Sequence, residues 1–181
     1  MEDKIILKAK KVRAILTDVD GVLTDGSLYY AAGMDEHFKA FSVYDGVGVK
    51  MANICGIPVF FVSAKKSSLL HKRASELKVK ECYDGIENKR DKVSEIAERY
   101  GFGFDELAYL GDDIVDIQVL KIVGFPVAVK NAFDEVKSHA VYITERRGGE
   151  GALREVIELI IKARGDWNKV LDYFGGKNET T

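Results

Sequence analysis

The sequence predicts an α/β protein whose sheet is built from parallel strands. Short apolar runs rich in β-branched and aromatic residues, such as IPVFFV (57–62), alternate along the chain with amphipathic runs such as SSLLHKRASELK (67–78). This alternation is typical of strands that are joined by crossover helices. A chain of 181 residues is long enough for one domain with its own core. We therefore expect a single domain over residues 1–181.

The elements follow from apolar period, turn residues and helix stops. The predicted strands, in chain order, are 12–19, 57–62, 79–84, 106–111, 125–129 and 140–144. The predicted helices are 46–56, 67–78, 88–101, 113–124, 131–139 and 148–164. SLYYAA and EHFKAFSV flank the turn-like GMD, which predicts a β-hairpin insert over about residues 26–43. A tail over about residues 165–181 begins like a helix and ends polar.

Composition excludes several classes of protein. A formal net charge of −2 argues against a nucleic-acid-binding face, which would be strongly basic. The two cysteines, Cys55 and Cys82, form no CxxC or Cys/His cluster, so they favour reduced thiols in a cytoplasmic protein. The N-terminus is too charged for a signal peptide, and no apolar stretch approaches the length of a membrane span. We expect neither a nucleic-acid nor a membrane partner.

Polar side chains collect where the predicted strands end. In an open parallel sheet, ligands bind beyond the carboxyl ends of the strands, so these side chains should share one edge. Four carboxylates in one crevice would repel each other, and a hard divalent cation with a lysine would compensate them. The residues so placed are Asp18 and Asp20, Ser63, Asp112 and Asp113, Asp116 one turn further on, and Lys89 at a helix start.

The pair Asp18 and Asp20 can divide the chemistry of phosphoryl transfer. Side chains alternate in direction, so Asp18 can act as a nucleophile that forms an aspartyl-phosphate, and Asp20 as general acid and then general base. We expect Mg²⁺ to be held by Asp18, Asp112 and the backbone carbonyl of Asp20. Asp20 would also touch the substrate.

The remaining polar residues of this edge have supporting roles. Ser63 and Lys89 should hydrogen-bond and neutralise the phosphoryl oxygens, over which the transition-state charge is spread. Asp113 or Asp116 should do part of the work of capping the following helix and supporting the metal ligands from behind. Each residue alone has an ordinary structural interpretation as a turn, a helix cap or a surface lysine. Their joint occurrence at successive strand ends favours a reaction centre.

These motifs resemble those of the haloacid dehalogenase superfamily. DVDGVLTDG (18–26) resembles its first motif, VFFVS its second, which ends at Ser63, Lys89 its third and GDDIVD (111–116) its fourth. The stretch between the first two motifs holds a hairpin and one helix, too little for a cap domain. The resemblance implies a Rossmann-like three-layer α/β/α fold with a mainly parallel sheet, a hairpin insert and no cap domain.

Within that superfamily, the chain is similar to the family of 3-deoxy-D-manno-octulosonate 8-phosphate (KDO 8-phosphate) phosphatases. FSVYDGVGVK, YDGIENK, LGDDIVD and GGEGALRE carry this resemblance, which covers residues 11 to about 164. It implies a cytoplasmic, Mg²⁺-dependent phosphatase that acts on a small phosphorylated sugar acid and supplies lipopolysaccharide synthesis. It also implies a homotetramer whose hairpins pack together and whose C-terminal tail can help close a neighbour's site.

The same resemblance implies a set of contacts to the sugar acid. Two of them depart from the family pattern: Ser63-Ala64-Lys65 stands where Thr-Gly-Arg is usual, and Tyr44 stands where an arginine is usual. A lysine offers a point charge and lacks the guanidinium fork. The implied sugar-acid contacts are Ser42, Val43, Tyr44, Asp45, Gly46, Lys50, Lys65, Arg73 and Lys89.

Three other functions remain open on the sequence. A receiver domain also uses acidic residues, a Ser/Thr and a lysine around magnesium, but it lacks a neighbouring acid/base such as Asp20, which makes an aspartyl-phosphate short-lived. A non-catalytic oligomerisation module has no need of Asp20 and Lys89 together. A phosphatase of a nine-carbon keto-deoxy sugar acid phosphate fits the same residues.

Overall fold

The computed structural model describes residues 2–30, 32–33 and 38–176, and these form a six-stranded sheet with helices. The strand order is β3-β2-β1-β4-β5-β6, and every neighbouring pair is parallel. The predicted α/β class with a parallel sheet is thereby confirmed. The strands are β1 (Ala14–Thr17), β2 (Val59–Val62), β3 (Glu81–Tyr83), β4 (Leu107–Gly111), β5 (Phe125–Ala128) and β6 (Tyr142–Ile143).

The helices form the two outer layers. Crossovers from β1 to β2 and from β4 to β5 run in opposite directions along the sheet, and right-handed crossovers then place their helices on opposite faces. On one side α1, α2, α7 and α8 pack together, whereas α4 packs with α5. The helices are α1 (Glu2–Lys10), α2 (Val43–Ile54), α3 (Ser68–Leu77), α4 (Lys89–Tyr100), α5 (Ile117–Leu120), α6 (Asp134–Lys137), α7 (Ala152–Arg164) and α8 (Trp167–Phe174).

The central strands are buried along their whole length. Every residue of β1, β2, β4 and β5 is buried, because helices cover both faces of the sheet. That is why these strands read in the sequence as continuous apolar runs and not as alternating ones. The largest buried side chains include Phe60, Phe61, Tyr109 and Phe125.

Several elements differ from their predicted bounds, three of them as follows. Helix α1 was not predicted; it packs on α7, and Lys8 Nζ donates to the carbonyl of Gly124 at 2.8 Å. Helix α2 begins at Val43 and not at 46, because the Ser42 hydroxyl accepts the Tyr44 N–H at 3.2 Å and caps the first turn. The predicted helix 113–124 is a 3₁₀ turn, Ile114–Asp116, followed by the short α5.

The hairpin insert is present in part. An antiparallel bridge joins Tyr29 and Phe38, with the Phe38 N–H donating to the Tyr29 carbonyl at 3.2 Å. Residues 31 and 34–37 of the predicted hairpin lie outside the described residues, and so do residues 177–181 of the predicted tail. The described part of the tail contains α8. No helix in the described part of the chain has the length and apolar character to cross a membrane.

Candidate active site

A cleft of about 270 Å³ opens beyond the carboxyl ends of β1 and β4. These two neighbouring strands flank the point where the chain reverses its direction across the sheet, and such switch points are where α/β proteins bind ligands. The Asp18 N–H donates to the Leu110 carbonyl at 2.9 Å, which fixes Asp18 just past the end of β1. The cleft is lined by Asp18, Asp20, Gly26, Ala64, Lys65, Lys89, Asp112, Asp113 and Val115.

Lys89 joins two carboxylates at the bottom of this cleft. Its Nζ lies 2.7 Å from Asp18 Oδ1 and 2.8 Å from Asp116 Oδ1. The lysine side chain is only 4% exposed, so the ammonium is nearly cut off from water. Helix α4 begins at Lys89, with Asn88 as its capping residue, and this start aims the lysine at the sheet edge. The structure therefore brings Asp18 and Lys89 together as predicted.

Asp116 supports the site from behind. Its Oδ1 accepts from Lys89 and from the Tyr109 hydroxyl at 2.7 Å, and its Oδ2 accepts the N–H groups of Asp112 and Asp113 at 3.0 and 3.3 Å. Both oxygens are thus occupied, and the side chain is fully buried. Asp116 lies close enough to Asp18 and Asp112 to share a cation with them, but its hydrogen bonds suit it better to holding the backbone of Asp112.

Asp112 has the opposite character, because one of its oxygens is left over. Its Oδ1 is buried and has no hydrogen-bond partner among the described residues. A buried carboxylate oxygen without a partner is costly, and a cation would satisfy it. Gly21 keeps the space beside it free: with φ +93°, a Cβ there would lie 2.0 Å from Asp112 Oδ2.

The electrostatics of the two facing carboxylates favour a bound cation. Burial, and then the negative charge of Asp116, raise the pKa of Asp18 to about 6, although Lys89 opposes the shift. Burial, and then the charge of Asp18, raise the pKa of Asp112 to about 8. A dication between them would stabilise the ionised form of both carboxylates, which burial and the neighbouring negative charges disfavour. The donor set is all oxygen, which suits a hard ion such as Mg²⁺.

Asp20 has a partner that the sequence did not reveal. Lys39, from the insert, places its Nζ 2.7 Å from Asp20 Oδ1 and 3.0 Å from Oδ2. The side chains are 6% exposed for Lys39 and 24% for Asp20, so the carboxylate still faces the cleft. The sequence EHFKAF contains no motif or periodicity that predicts this contact, because Lys39 and Asp20 are 19 positions apart.

Ser63 and Asp113 hold the backbone around the cleft. The Ser63 hydroxyl accepts the Lys65 N–H at 3.2 Å and donates to the Lys65 carbonyl at 3.1 Å, so it shapes the turn that leads to Ala64 and Lys65. Lys65 is exposed and lines the cleft. Asp113 Oδ1 accepts the Ile114 N–H at 2.6 Å and caps the 3₁₀ turn, as predicted for one of the two aspartates.

The implied sugar contacts do not all reach this cleft within one chain. Asp45 is 4% exposed, and its Oδ1 accepts the Arg154 N–H at 2.9 Å, so its side chain caps the start of α7. Asp45 therefore does not line the cleft in this structure, and its contact with the sugar stays a prediction. Arg73 lies next to it, with Nη2 3.4 Å from the Ser42 carbonyl.

Other implied contacts lie on different surfaces. Lys50 lies over the rings of Tyr173 and Phe174, with Nζ 5.0 and 5.4 Å from their centroids, on the outer side of α2. Val43 and Tyr44 are exposed on the first turn of α2, where the Tyr44 ring meets the guanidinium of Arg146. Gly46 packs against Arg73 and Leu77, where a Cβ would lie 2.9 Å from Arg73 Nη2. The cleft itself holds only Asp20, Lys65 and Lys89 of the implied substrate contacts.

Fold and site together define a hydrolase of the haloacid dehalogenase type. A family model of haloacid dehalogenase-like hydrolases matches residues 65–156. The KDO 8-phosphate phosphatase KdsC of Escherichia coli (strain K12) is 38% identical over 161 residues, which are 89% of this chain and 85% of the relative. The KdsC of Yersinia pestis is 36% identical over 162 residues, with 90% and 86% covered.

The solved structures agree with the sequence relatives. A KDO 8-phosphate phosphatase from Moraxella catarrhalis, in complex with magnesium, phosphate and KDO, superposes with a TM-score of 0.93 at 32% identity and covers 96% of this chain and 99% of its own. The phosphatase from Yersinia pestis gives a TM-score of 0.89 at 34% identity, with 92% and 89% covered. The chain belongs to the KDO 8-phosphate phosphatase family of haloacid dehalogenase-like hydrolases.

Proposed function

We propose that the protein is a Mg²⁺-dependent phosphatase that hydrolyses KDO 8-phosphate to KDO and inorganic phosphate, a step in lipopolysaccharide synthesis. The observation that carries the proposal is the cluster of Asp18, Asp112 and Lys89, in which a buried oxygen of Asp112 has no hydrogen-bond partner among the described residues. The names of the curated relatives and the magnesium, phosphate and KDO bound in the Moraxella catarrhalis structure support the choice of substrate and cofactor.

The reaction needs two carboxylates with different tasks. An oxygen of Asp18 attacks phosphorus, the bond from phosphorus to the sugar oxygen breaks, and Asp20 donates a proton to that oxygen. The products of this first half-reaction are KDO, with its hydroxyl group restored, and an aspartyl-phosphate. In the second half Asp20 takes a proton from water, the water oxygen attacks phosphorus, and Asp18 leaves as a carboxylate.

The residues of the cleft fit the metal ion. Asp18, Asp112 and the backbone carbonyl of Asp20 would hold Mg²⁺, and Asp116 fixes the backbone of Asp112 through two N–H groups. When bound, the ion neutralises negative charge on the carboxylates and on the phosphate oxygens.

Lys89 and Ser63 act on the phosphoryl group. Lys89 already balances the charge of Asp18, so a dianionic phosphate can approach that carboxylate. Ser63 contributes its hydroxyl when its bonds with the Lys65 backbone are exchanged for a phosphate oxygen. Lys65, exposed at the rim, offers a positive charge to the carboxylate of the sugar acid.

The proposal extends to a homotetramer and to the cytoplasm. The insert and the start of α2 expose the apolar side chains of Leu28, Tyr29, Tyr30, Phe38 and Val43, and a lone hairpin needs a surface to pack on. Both cysteines are free thiols, which fits a reducing compartment. Light scattering at micromolar concentration tests the assembly, and a monomer there would contradict it.

The deciding experiment is phosphate release across a panel of sugar phosphates that includes eight- and nine-carbon keto-deoxy acids. We expect the highest kcat/KM for KDO 8-phosphate, with Asp18→Asn as the inactive control. A higher kcat/KM for the nine-carbon ester would transfer the assignment to that substrate. No release from any ester would refute a phosphatase.

A further inference from the structure

The mechanism above does not use the ion pair between Lys39 and Asp20, a residue that lines the cleft. The ammonium reaches both carboxylate oxygens, at 2.7 and 3.0 Å, and the lysine side chain is only 6% exposed. Removing an ammonium from water to this extent costs free energy, unless a well-placed carboxylate compensates the charge. Among the described residues, the side-chain hydrogen bonds to the Asp20 carboxylate both come from Lys39.

The lysine side chains in and around the cleft have different partners. Lys89 is shared between Asp18 and Asp116 at the bottom, and Lys65 is exposed at the rim. Among the lysines that the structure describes, Lys39 is the one paired with Asp20, and it belongs to the insert. Because its ammonium lies within hydrogen-bond distance of both carboxylate oxygens, Lys39 favours the orientation of Asp20 that keeps both contacts.

We propose that Lys39 is the positioning residue of Asp20: it holds the acid/base carboxylate in the orientation that meets the leaving oxygen. This inference rests on the proposed phosphatase activity and deepens it. Lys39 itself exchanges no proton and forms no bond with the substrate. Without it, Asp20 would rotate about its side-chain bonds, and a misplacement of about 1 Å can cost about 100-fold in rate.

The role predicts a selective defect. Protonation of the leaving oxygen matters for the alkoxide of a sugar phosphate, and it matters little for acetate or p-nitrophenolate, which are weak bases. Because Asp20 also activates water in the second half-reaction for every substrate, the readout is the single-turnover rate of leaving-group release. We expect Lys39→Met to lower that rate for KDO 8-phosphate by about 10- to 100-fold. For acetyl phosphate and p-nitrophenyl phosphate we expect less than about a threefold loss of that rate. Asp20→Asn should show the same selective pattern in leaving-group release, because both variants impair protonation of the leaving oxygen.

Two controls separate this role from a structural one. Lys39→Arg keeps a cation that can reach Asp20 and should recover most of the rate on KDO 8-phosphate. Lys11→Met removes an exposed lysine whose partner Asp105 is 3.9 Å away, and it should leave rates unchanged. Thermal unfolding of each variant checks that the fold persists.

The outcomes keep the two proposals apart. If the parent releases phosphate from no ester, the proposed function fails and this inference fails with it. If the parent is active but Lys39→Met keeps its rate on KDO 8-phosphate, only the positioning role is overturned. A loss of the same factor in leaving-group release from all three substrates, with an intact fold, would also overturn it, because Lys39 would then act on the phosphoryl group common to them all.

Discussion

Replacement of Lys89 by methionine tests the charge balance on which the whole site depends. The change keeps most of the aliphatic stem and removes one ammonium that is paired with Asp18 at 2.7 Å and Asp116 at 2.8 Å. Both carboxylates are buried, with side-chain exposures of 9% and 0%. Removing one partner of a buried ion pair costs about 3–5 kcal/mol, because the other charge stays buried and uncompensated.

That cost translates into a measurable shift in Tm. For a chain of this size, 1 kcal/mol corresponds to roughly 2–4 °C, so Lys89→Met should unfold about 6–20 °C below the parent in EDTA. Lys11→Met is the matched control: its ion pair is 66% and 70% exposed, and surface pairs contribute about 0–1 kcal/mol. Calorimetry or urea unfolding gives the values. A free energy of unfolding within about 1 kcal/mol of the parent would refute the reasoning.

Magnesium extends the same test. If the ion and Lys89 neutralise the same carboxylates, Mg²⁺ should stabilise Lys89→Met more than it stabilises the parent, and the gap in Tm should narrow. The variant should nonetheless fail to release phosphate from KDO 8-phosphate. An equal gap with Mg²⁺ and with EDTA would mean that the ion binds elsewhere.

Further outcomes follow from single groups. Asp18→Asn should abolish phosphate release in a steady-state assay, and appreciable turnover would contradict its role as the nucleophile. Gly21→Ala should weaken Mg²⁺ activation strongly, since its Cβ would lie 2.0 Å from Asp112 Oδ2 at a φ of +93°; an unchanged Mg²⁺ titration would count against a metal at Asp112. EDTA should inactivate the enzyme and added Mg²⁺ should restore it, and an EDTA-resistant activity would exclude the metal role. Burial raises the pKa of Asp45 from 3.8 to about 6, so the folded state holds that proton more tightly than the unfolded chain, and this contribution to stability is lost as the pH rises between those values. The free energy of unfolding, measured in urea at about pH 4 and 7, should therefore fall by roughly 2 kcal/mol less in Asp45→Asn than in the parent. An equal fall in both proteins would show that Asp45 is not the group responsible.

The placement of the main site residues could be predicted because local pattern and sheet topology act together. Asp18 and Asp112 each follow an apolar run that could only be a buried strand, and parallel strands bring their carboxyl ends to one edge. Lys89 follows a turn and opens a helix, which fixes its direction within one turn. These positions depend on short-range features, which a sequence shows directly.

The contacts that the sequence did not reveal all join distant segments through side chains. Asp45 caps α7 across 109 positions, and Lys39 crosses the insert to Asp20. Helix α1 depends on packing against α7 at the other end of the chain. Local periodicity does not indicate such a pairing, because the sequence around each partner is equally compatible with an exposed position.

The sequence by itself determined the fold class, the family and the acidic edge of the sheet, since apolar period and strand-end carboxylates suffice for these. Only the tertiary structure decided how the charges are shared. Both oxygens of Asp116 accept hydrogen bonds, from Lys89, Tyr109 and the backbone, whereas one buried oxygen of Asp112 has no partner in the part of the chain that the structure describes. The physical reason is burial: the environment of a carboxylate depends on which groups the packed fold places within 3 Å of it, and those groups come from every part of the chain.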